Sequence, residues 1–398
     1  MKVHYIPVPL GLCVAVMCLV STRLSAEESN AASGGEQALK ALEPKDLAQA
    51  KHMAVKTYAQ IVEATSMSAF VTAIELRKKI EALVTDPTPD NHVAAKLSWV
   101  QARLPYLQTE ALFSYGSQAA AMNSWPVRPG YIDYIDGNPE SGIICDPDGF
   151  PDLSPESLER MNGRGGEGNI ATGYHVIEFL LWGETSGLVA RGKRTHIDYD
   201  PGKTKYAVRR GTFLVGCCDL LIRQLTDQLA EWKADVPGNS RARFETLPTD
   251  EALGKIFTGI ALFAGRHTKV RKTGGIKVAE GQPGGQATFS GLGYIDLAHN
   301  VAGIANIVAG AYVGLDGKVK VLGVGLIGVA EQVTPVRSKR LRAYMNASTR
   351  AAHGINRSFD PDMVKDGDLP ERKLPKILTN ALGHLLKEVD KLAVDLEI

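Results

Sequence analysis

The spacing of apolar residues confines this chain to helices. Leu47, Ala50, Ala54, Tyr58, Ile61 and Ala64 recur at three- and four-residue intervals, and so do Leu374, Ile377, Ala381, Leu385, Val389 and Leu392 near the other end. Strand-like alternation is scarce between them. The same periodicity predicts a first helix from residue 47, a second over 70–84 that stops before Asp86-Pro87-Thr88-Pro89, and a third over 91–115 kinked at Pro105. Residues 123–168, rich in Gly, Pro, Asn and Asp, predict an irregular excursion with short helical turns. Helices are then expected over 170–182, ended by Gly183, over 205–233, and over 249–263, capped by Thr249 or Asp250. Residues 274–293 hold seven glycines and read as an open loop, 294–313 as a buried helix, and 314–321 as a turn or small hairpin. Pro375 suits the first turn of the last helix. The expected fold class is all-α, with two helical bundles over 41–245 and 246–398 divided near Pro237-Gly238-Asn239-Ser240.

The ends and the charge narrow the setting. Residues 1–26 read as an export signal: Lys2 gives a positive start, 6–20 is apolar, and Leu24-Ser25-Ala26 ends on a small residue. Residues 27–40 read as a polar linker. Loss of the signal removes Lys2 and Arg23, so 45 basic residues become 43 against 44 acidic ones, a formal charge of −1. That balance excludes a nucleic-acid footprint, and no later stretch is apolar enough to span a membrane. The expected location is exported, periplasmic or envelope-associated. Beyond the signal only Cys145, Cys217 and Cys218 remain, an odd number that argues against a disulfide framework; Cys217 and Cys218 read as small buried hydrophobes.

Within this helical pattern, GYHVIEFLLWGE (173–184) sets His175 and Glu178 three residues apart in an apolar run. Both therefore lie on one helix face and can present a nitrogen and a carboxylate to one point. Helix bundles build metal sites from such pairs. Gly173 leaves room for close approach beside them. The plain alternative is a pair bonded to each other or to another helix. His-Glu-x-x-His, the spacing of a familiar zinc protease, is absent.

Gly173-Tyr174-His175-Val176-Ile177-Glu178 resembles the Gly-x-His-x-x-Glu signature of the imelysin family, and Phe179-Leu180-Leu181-Trp182-Gly183 extends the match. Trp99 to Glu110 is similar to that family's Trp-x-x-Ala-Arg-x-Pro-Tyr-x-x-Thr-Glu segment, and Asn123-Ser124-Trp125-Pro126 and Tyr131-Ile132-Asp133-Tyr134 fit as well. The resemblance implies an exported protein of two related helical bundles, with the histidine motif near their interface. It also implies a link to bacterial iron uptake, and a metallopeptidase activity under which the family was first classed. The second half departs from the pattern. Leu262-Phe263-Ala264-Gly265-Arg266-His267 stands where many relatives carry Glu-Leu-Ala-Gly-Glu-Arg, and of Phe-Ser-Asp-Asn-Thr-His-x-Asp only Phe289, Ser290 and Asp296 remain. Gly130-Tyr131-Ile132-Asp133 echoes Gly293-Tyr294-Ile295-Asp296, too short a match to establish a repeat.

These residues give a candidate metal set of His175 and Glu178 with Glu110 and Asp296, and a candidate ligand pocket of Gly173, Arg103, Tyr106, Trp125, Asp133 and Ser290. Each has an ordinary counterpart. Glu110 can pair with His175 or with Arg103; Trp99, Tyr106 and Trp125 can be packing; Asp133 can cap a turn; Asp296 and His299, again three apart, can be an early-helix acid and a core polar residue; His267 can belong to a solvated basic face. Three functions follow. In the first, an interdomain cleft binds iron, another divalent metal or a small ligand, alongside envelope iron-uptake proteins. In the second, a metallopeptidase uses Glu178 as ligand or general base. In the third, His175 and Glu178 are a ligand-free clasp between the bundles of an interaction protein.

Overall fold

The computed structural model describes residues 43–112, 121–184, 192–272, 287–357 and 373–398. The expected signal, the linker and most of the glycine-rich loop lie outside these residues. The described residues form twelve α-helices and one two-stranded hairpin, so the all-α expectation holds. They are α1 (Leu47–Thr85), α2 (Pro89–Thr109), α3 (Pro129–Ile132), α4 (Pro155–Met161), α5 (Tyr174–Trp182), α6 (Ala207–Trp232), α7 (Ser240–Glu245), α8 (Thr249–Lys272), α9 (Gly293–Ala309), β1 (Ala311–Val313), β2 (Val319–Leu322), α10 (Leu326–Val333), α11 (Pro335–Arg357) and α12 (Lys373–Asp395).

The two helices expected over 47–84 are one. The run Thr65-Ser66-Met67-Ser68 looks like a break because hydroxyl side chains compete for backbone groups. Here two of them bond back along the same helix, Thr65 Oγ1 donating to the Ile61 carbonyl at 2.6 Å and Ser68 Oγ to Ala64 at 2.9 Å, and Thr72 Oγ1 one turn on does the same to Ser68 at 2.8 Å. α1 therefore continues for 39 residues, from Asp46, whose side chain accepts from Gln49 N, to Asp86. Its first half, Ala50 to Val62, packs in one core with α8 to α12; its second half, Ala69 to Leu83, packs in another with α2, α5 and α6. Ala287, Phe289, Leu292 and Ile295 enter that second core from the far side of residue 245. Each core thus takes residues from both 41–245 and 246–398.

Helix ends differ from expectation where local chemistry stops the chain. α2 ends at Thr109, not near 115: Thr109 Oγ1 donates to the Tyr106 carbonyl at 2.6 Å and Leu112 N turns back to Thr109 O at 2.8 Å. α5 starts at Tyr174 rather than 170, because Gly173 enters it at φ +91°, a left-handed value that glycine tolerates. A Cβ there would lie 2.6 Å from the Met122 carbonyl oxygen, so the close approach expected at Gly173 is to backbone. α9 ends at Ala309 on Gly310 in the left-handed region, and the rest of the expected helix is β1, paired antiparallel with β2. α10 and α11 do not stand out in the sequence pattern. The buried face of α11 alternates Leu341 and Met345 with Ser338, Ser348 and Thr349, which blurs its stripe. In α12 the expected stripe holds at Leu385, Val389 and Leu392, which are buried, but Ile377 is exposed and Leu378, Leu382 and Leu386 complete the buried face.

The excursion over 123–168 is irregular as expected, carrying α3, a short 3-10 turn at Ile143–Cys145 and α4. It is tied to α6 by Arg209, which donates to the Ile143, Ile144 and Phe150 carbonyls. Cys145, Cys217 and Cys218 are free and buried, and burial pushes the thiols of Cys145 and both α6 cysteines up, so they behave as packing groups.

Candidate functional site

His175 and Glu178 are fully buried on α5, and His175 Nδ1 lies 3.0 Å from Glu178 Oε2. The other ring nitrogen, Nε2, is 3.2 Å from Nη2 of Arg103, which α2 carries in from the side. Arginine can only donate. Nε2 must therefore accept, the ring proton sits on Nδ1, and His175 gives it to the Glu178 carboxylate. Glu178 Oε1 receives two more donors, the Ser290 backbone N and Oγ, each at 2.7 Å. Proton donation thus runs one way, from Arg103 through His175 to Glu178, with Ser290 closing the far end.

Arg103 is the hub. Its Nε and Nη2 grip Asp296 of α9 at 3.0 and 2.6 Å in a two-pronged fork, and Nη1 donates to Asn123 Oδ1 at 2.9 Å. Asn123 in turn donates to Glu110 at 2.5 Å. Trp99 and Tyr174 flank the guanidinium at 5.6 and 5.7 Å from their ring centres. The four expected metal ligands, His175, Glu178, Glu110 and Asp296, therefore do gather around one cation, and that cation is the side chain of Arg103. Burial lowers the pKa of the guanidinium, but Asp296 first, then Glu178 and Glu110, outweigh it and raise it above its usual value.

The other expected pocket residues divide. Ser290 and Arg103 are in the cluster, and Trp125 lies over it, its ring 5.2 Å from that of His175. Tyr106 is buried and packs on Tyr174, with ring centres 4.7 Å apart. His299 is buried next to Gln108 of α2. The side chain of His267 lies outside the described residues. Asp133 is in a different cluster altogether. It accepts from Arg210 Nε at 2.6 Å and Arg210 Nη2 at 3.0 Å, and it is ion-paired with Arg194 Nη1 at 2.7 Å, while Asp198 lies 3.1 Å from Arg194 Nε. Both arginines lie over Tyr134. The Tyr131–Tyr134 segment and the Gly-Tyr-Ile-Asp echo both point to Asp133, but nothing in the sequence points to Arg194 or Arg210. Each copy ends in an aspartate that a buried arginine grips by the same fork. Asn123 belongs to a motif, but nothing in its spacing marks it as a bridge. Two surface cavities, about 230 and 220 Å³, lie elsewhere, one beside Tyr131 and Phe150 and one beside Trp232 and Phe244.

Charge within the first cluster follows from its burial. Burial, reinforced by Arg103, keeps the His175 imidazole neutral well below its usual pKa. Burial raises the Glu178 carboxyl to about 7, with the Ser290 donors and Arg103 pulling the other way. The two groups act oppositely on stability. The raised glutamate contributes stability below its unfolded value of about 4.5 that is lost as pH climbs to about 7; the depressed histidine contributes stability above 6.5 that is lost as pH falls. In Glu178→Gln only the histidine dependence remains. Relative to wild type, the variant is expected to gain about 2–3 kcal/mol between pH 5 and pH 8. Urea unfolding across that range checks this, and parallel profiles for the two proteins would refute it.

The family model described as imelysin matches residues 54–389. Among solved structures, the crystal structure of a protein described as an iron-regulated protein A precursor from Parabacteroides distasonis superposes with a TM-score of 0.61 at 16% identity, covering 86% of this chain and 95% of that one. That likeness is one of fold. No curated protein matches the sequence.

Proposed function

Because this chain belongs to the imelysin family, we propose that it is an exported protein of the iron-regulated kind whose signature pair is a structural clasp without peptidase chemistry. Support for the iron link is the fold shared with the iron-regulated protein A precursor, whose description as a precursor also agrees with the export signal read over 1–26. The observation that carries the non-peptidase reading is the Arg103 guanidinium against His175 Nε2. A resident divalent ion would need that lone pair, and would need carboxylate oxygens now filled by the Ser290 donors and His175. Among the described residues, no three His, Cys, Asp or Glu side chains are placed to hold a metal. The residues present do not fit a metal, and no hydrolytic step is assigned to them.

The pair instead serves as a clasp. Arg103, His175 and Glu178 come from before residue 245, Ser290 and Asp296 from after it, so the cluster joins two distant parts of the chain through buried, charge-assisted bonds. The test uses the purified protein with ferrous, ferric, zinc and manganese salts. The expected result is an unchanged melting temperature with each metal and no cleavage of an unfolded protein substrate, with or without chelator. A saturable metal-dependent stabilisation of the wild type, lost in a folded His175→Ala variant, would restore the metal-site reading.

A further inference from the structure

The cationic face of α11 is absorbed by neither the cluster nor the core. This helix carries Arg337, Lys339, Arg340, Arg342, Arg350 and Arg357 and no acidic residue, in a chain whose overall formal charge is only +1. Arg337 is neutralised by Glu388 and Asp395 of α12, at 2.8 and 2.7 Å. Lys339, Arg340, Arg342 and Arg350 have no ion-pair partner among the described residues. Leu341, Met345, Ser348 and Ala352 turn into the core, which leaves Val336, Lys339, Arg340, Ala343 and Arg350 on the opposite, exposed face, with Arg342 at its margin. Val336 is 58% exposed, and Val394, next to the Asp395 that grips Arg337, is 74% exposed at the same end of the helix pair.

We infer that this face docks the protein on a membrane surface bearing anionic phospholipid. Four uncompensated cations along about 20 Å of helix match a layer of phosphate headgroups. Exposed Ala343 lies between the cations and adds no bulky side chain to the strip. Two exposed valines beside the cations add the apolar contact with which interfacial helices enter the headgroup boundary. Nucleic acid would require a broader basic footprint than one helix face in a chain of balanced charge. Among the described residues, no helix is long and apolar enough to cross a membrane, so the contact is peripheral.

The experiment is flotation of the mature protein, purified from the cell envelope, with vesicles of phosphatidylcholine alone or with one third phosphatidylglycerol. The expected result is binding that requires phosphatidylglycerol and weakens with added salt. Each cation near such a surface strengthens binding roughly fivefold, so K339E/R340E is expected to weaken it at least about twentyfold. K56E/K79E, an equal charge change on exposed positions of α1, is expected to leave it unchanged. Equal losses in both double variants, or no preference for phosphatidylglycerol in the wild type, would overturn the inference. If neutralising Asp360, Asp362, Asp366, Asp368 and Glu371 were needed before any binding appeared, the chain's own acidic segment would be the occupant instead and the inference would also fail.

Discussion

Arg103→Ala is expected to lose about 3–5 kcal/mol of folding stability, the range for removing one partner of a buried ion pair. The size follows from what is stranded. Asp296 is 5% exposed and loses both prongs of its fork; His175 Nε2 is left with a buried lone pair; Asn123 loses its donor. The arginine stem also fills the space between Trp99 and Tyr174, so some of the loss is packing. A companion measurement separates charge from packing. Millimolar guanidinium chloride should raise the melting temperature of Arg103→Ala, and sodium chloride at equal ionic strength should not, because only the planar cation restores the donors facing Asp296 and His175. A divalent metal that stabilised the variant but not the wild type would show that the acids and imidazole accept a cation once the arginine is gone. A loss under 1 kcal/mol in urea unfolding would mean that the cluster does not act as a clasp.

Asp133→Ala is expected to cost at least as much, about 3–5 kcal/mol or more. Here one buried carboxylate faces two guanidiniums, Arg194 and Arg210, each 1% exposed at its side chain. Its removal leaves two like charges close together with Asp198 alone to oppose them. Burial would raise the Asp133 pKa, but Arg194 and Arg210 override it and hold it below the usual carboxylate value, so the wild-type contribution persists until strongly acidic pH. The excursion over 123–168 should loosen with it, because Asp133 ends α3 and Arg210 belongs to α6. Hydrogen exchange would show this as faster exchange between residues 129 and 161 than in the Arg103→Ala protein. Asp133→Ala/Arg194→Leu should recover part of the loss by removing the surplus cation. Failure of the double variant to recover any stability would assign the loss to packing rather than charge.

Much of the fold was legible because helices advertise themselves locally. The stripes from Leu47 and over α12 need only the sequence near them, and so do the stop at Asp86-Pro87 and the glycine end of α5. The misses share a cause. Whether Thr65 and Ser68 break a helix depends on where their hydroxyls bond, and α1 decides that by its packing in both cores. α11 is hidden because serine and threonine at core positions look polar until a neighbouring helix buries them.

For the site, three-residue spacing on an apolar helix was enough to fix that His175 and Glu178 share a face, are buried and need partners, since neither can sit unpaired in a core. What the partners are was a question of the tertiary structure alone. Arg103 lies 72 residues before His175, and Ser290 lies 112 residues after Glu178. No local pattern says that the cation among those acids comes from the chain itself. Charge is satisfied through space, so the same imidazole and carboxylate could have faced a metal; the crossing of α2 over α5, with α9 behind, put a guanidinium there instead.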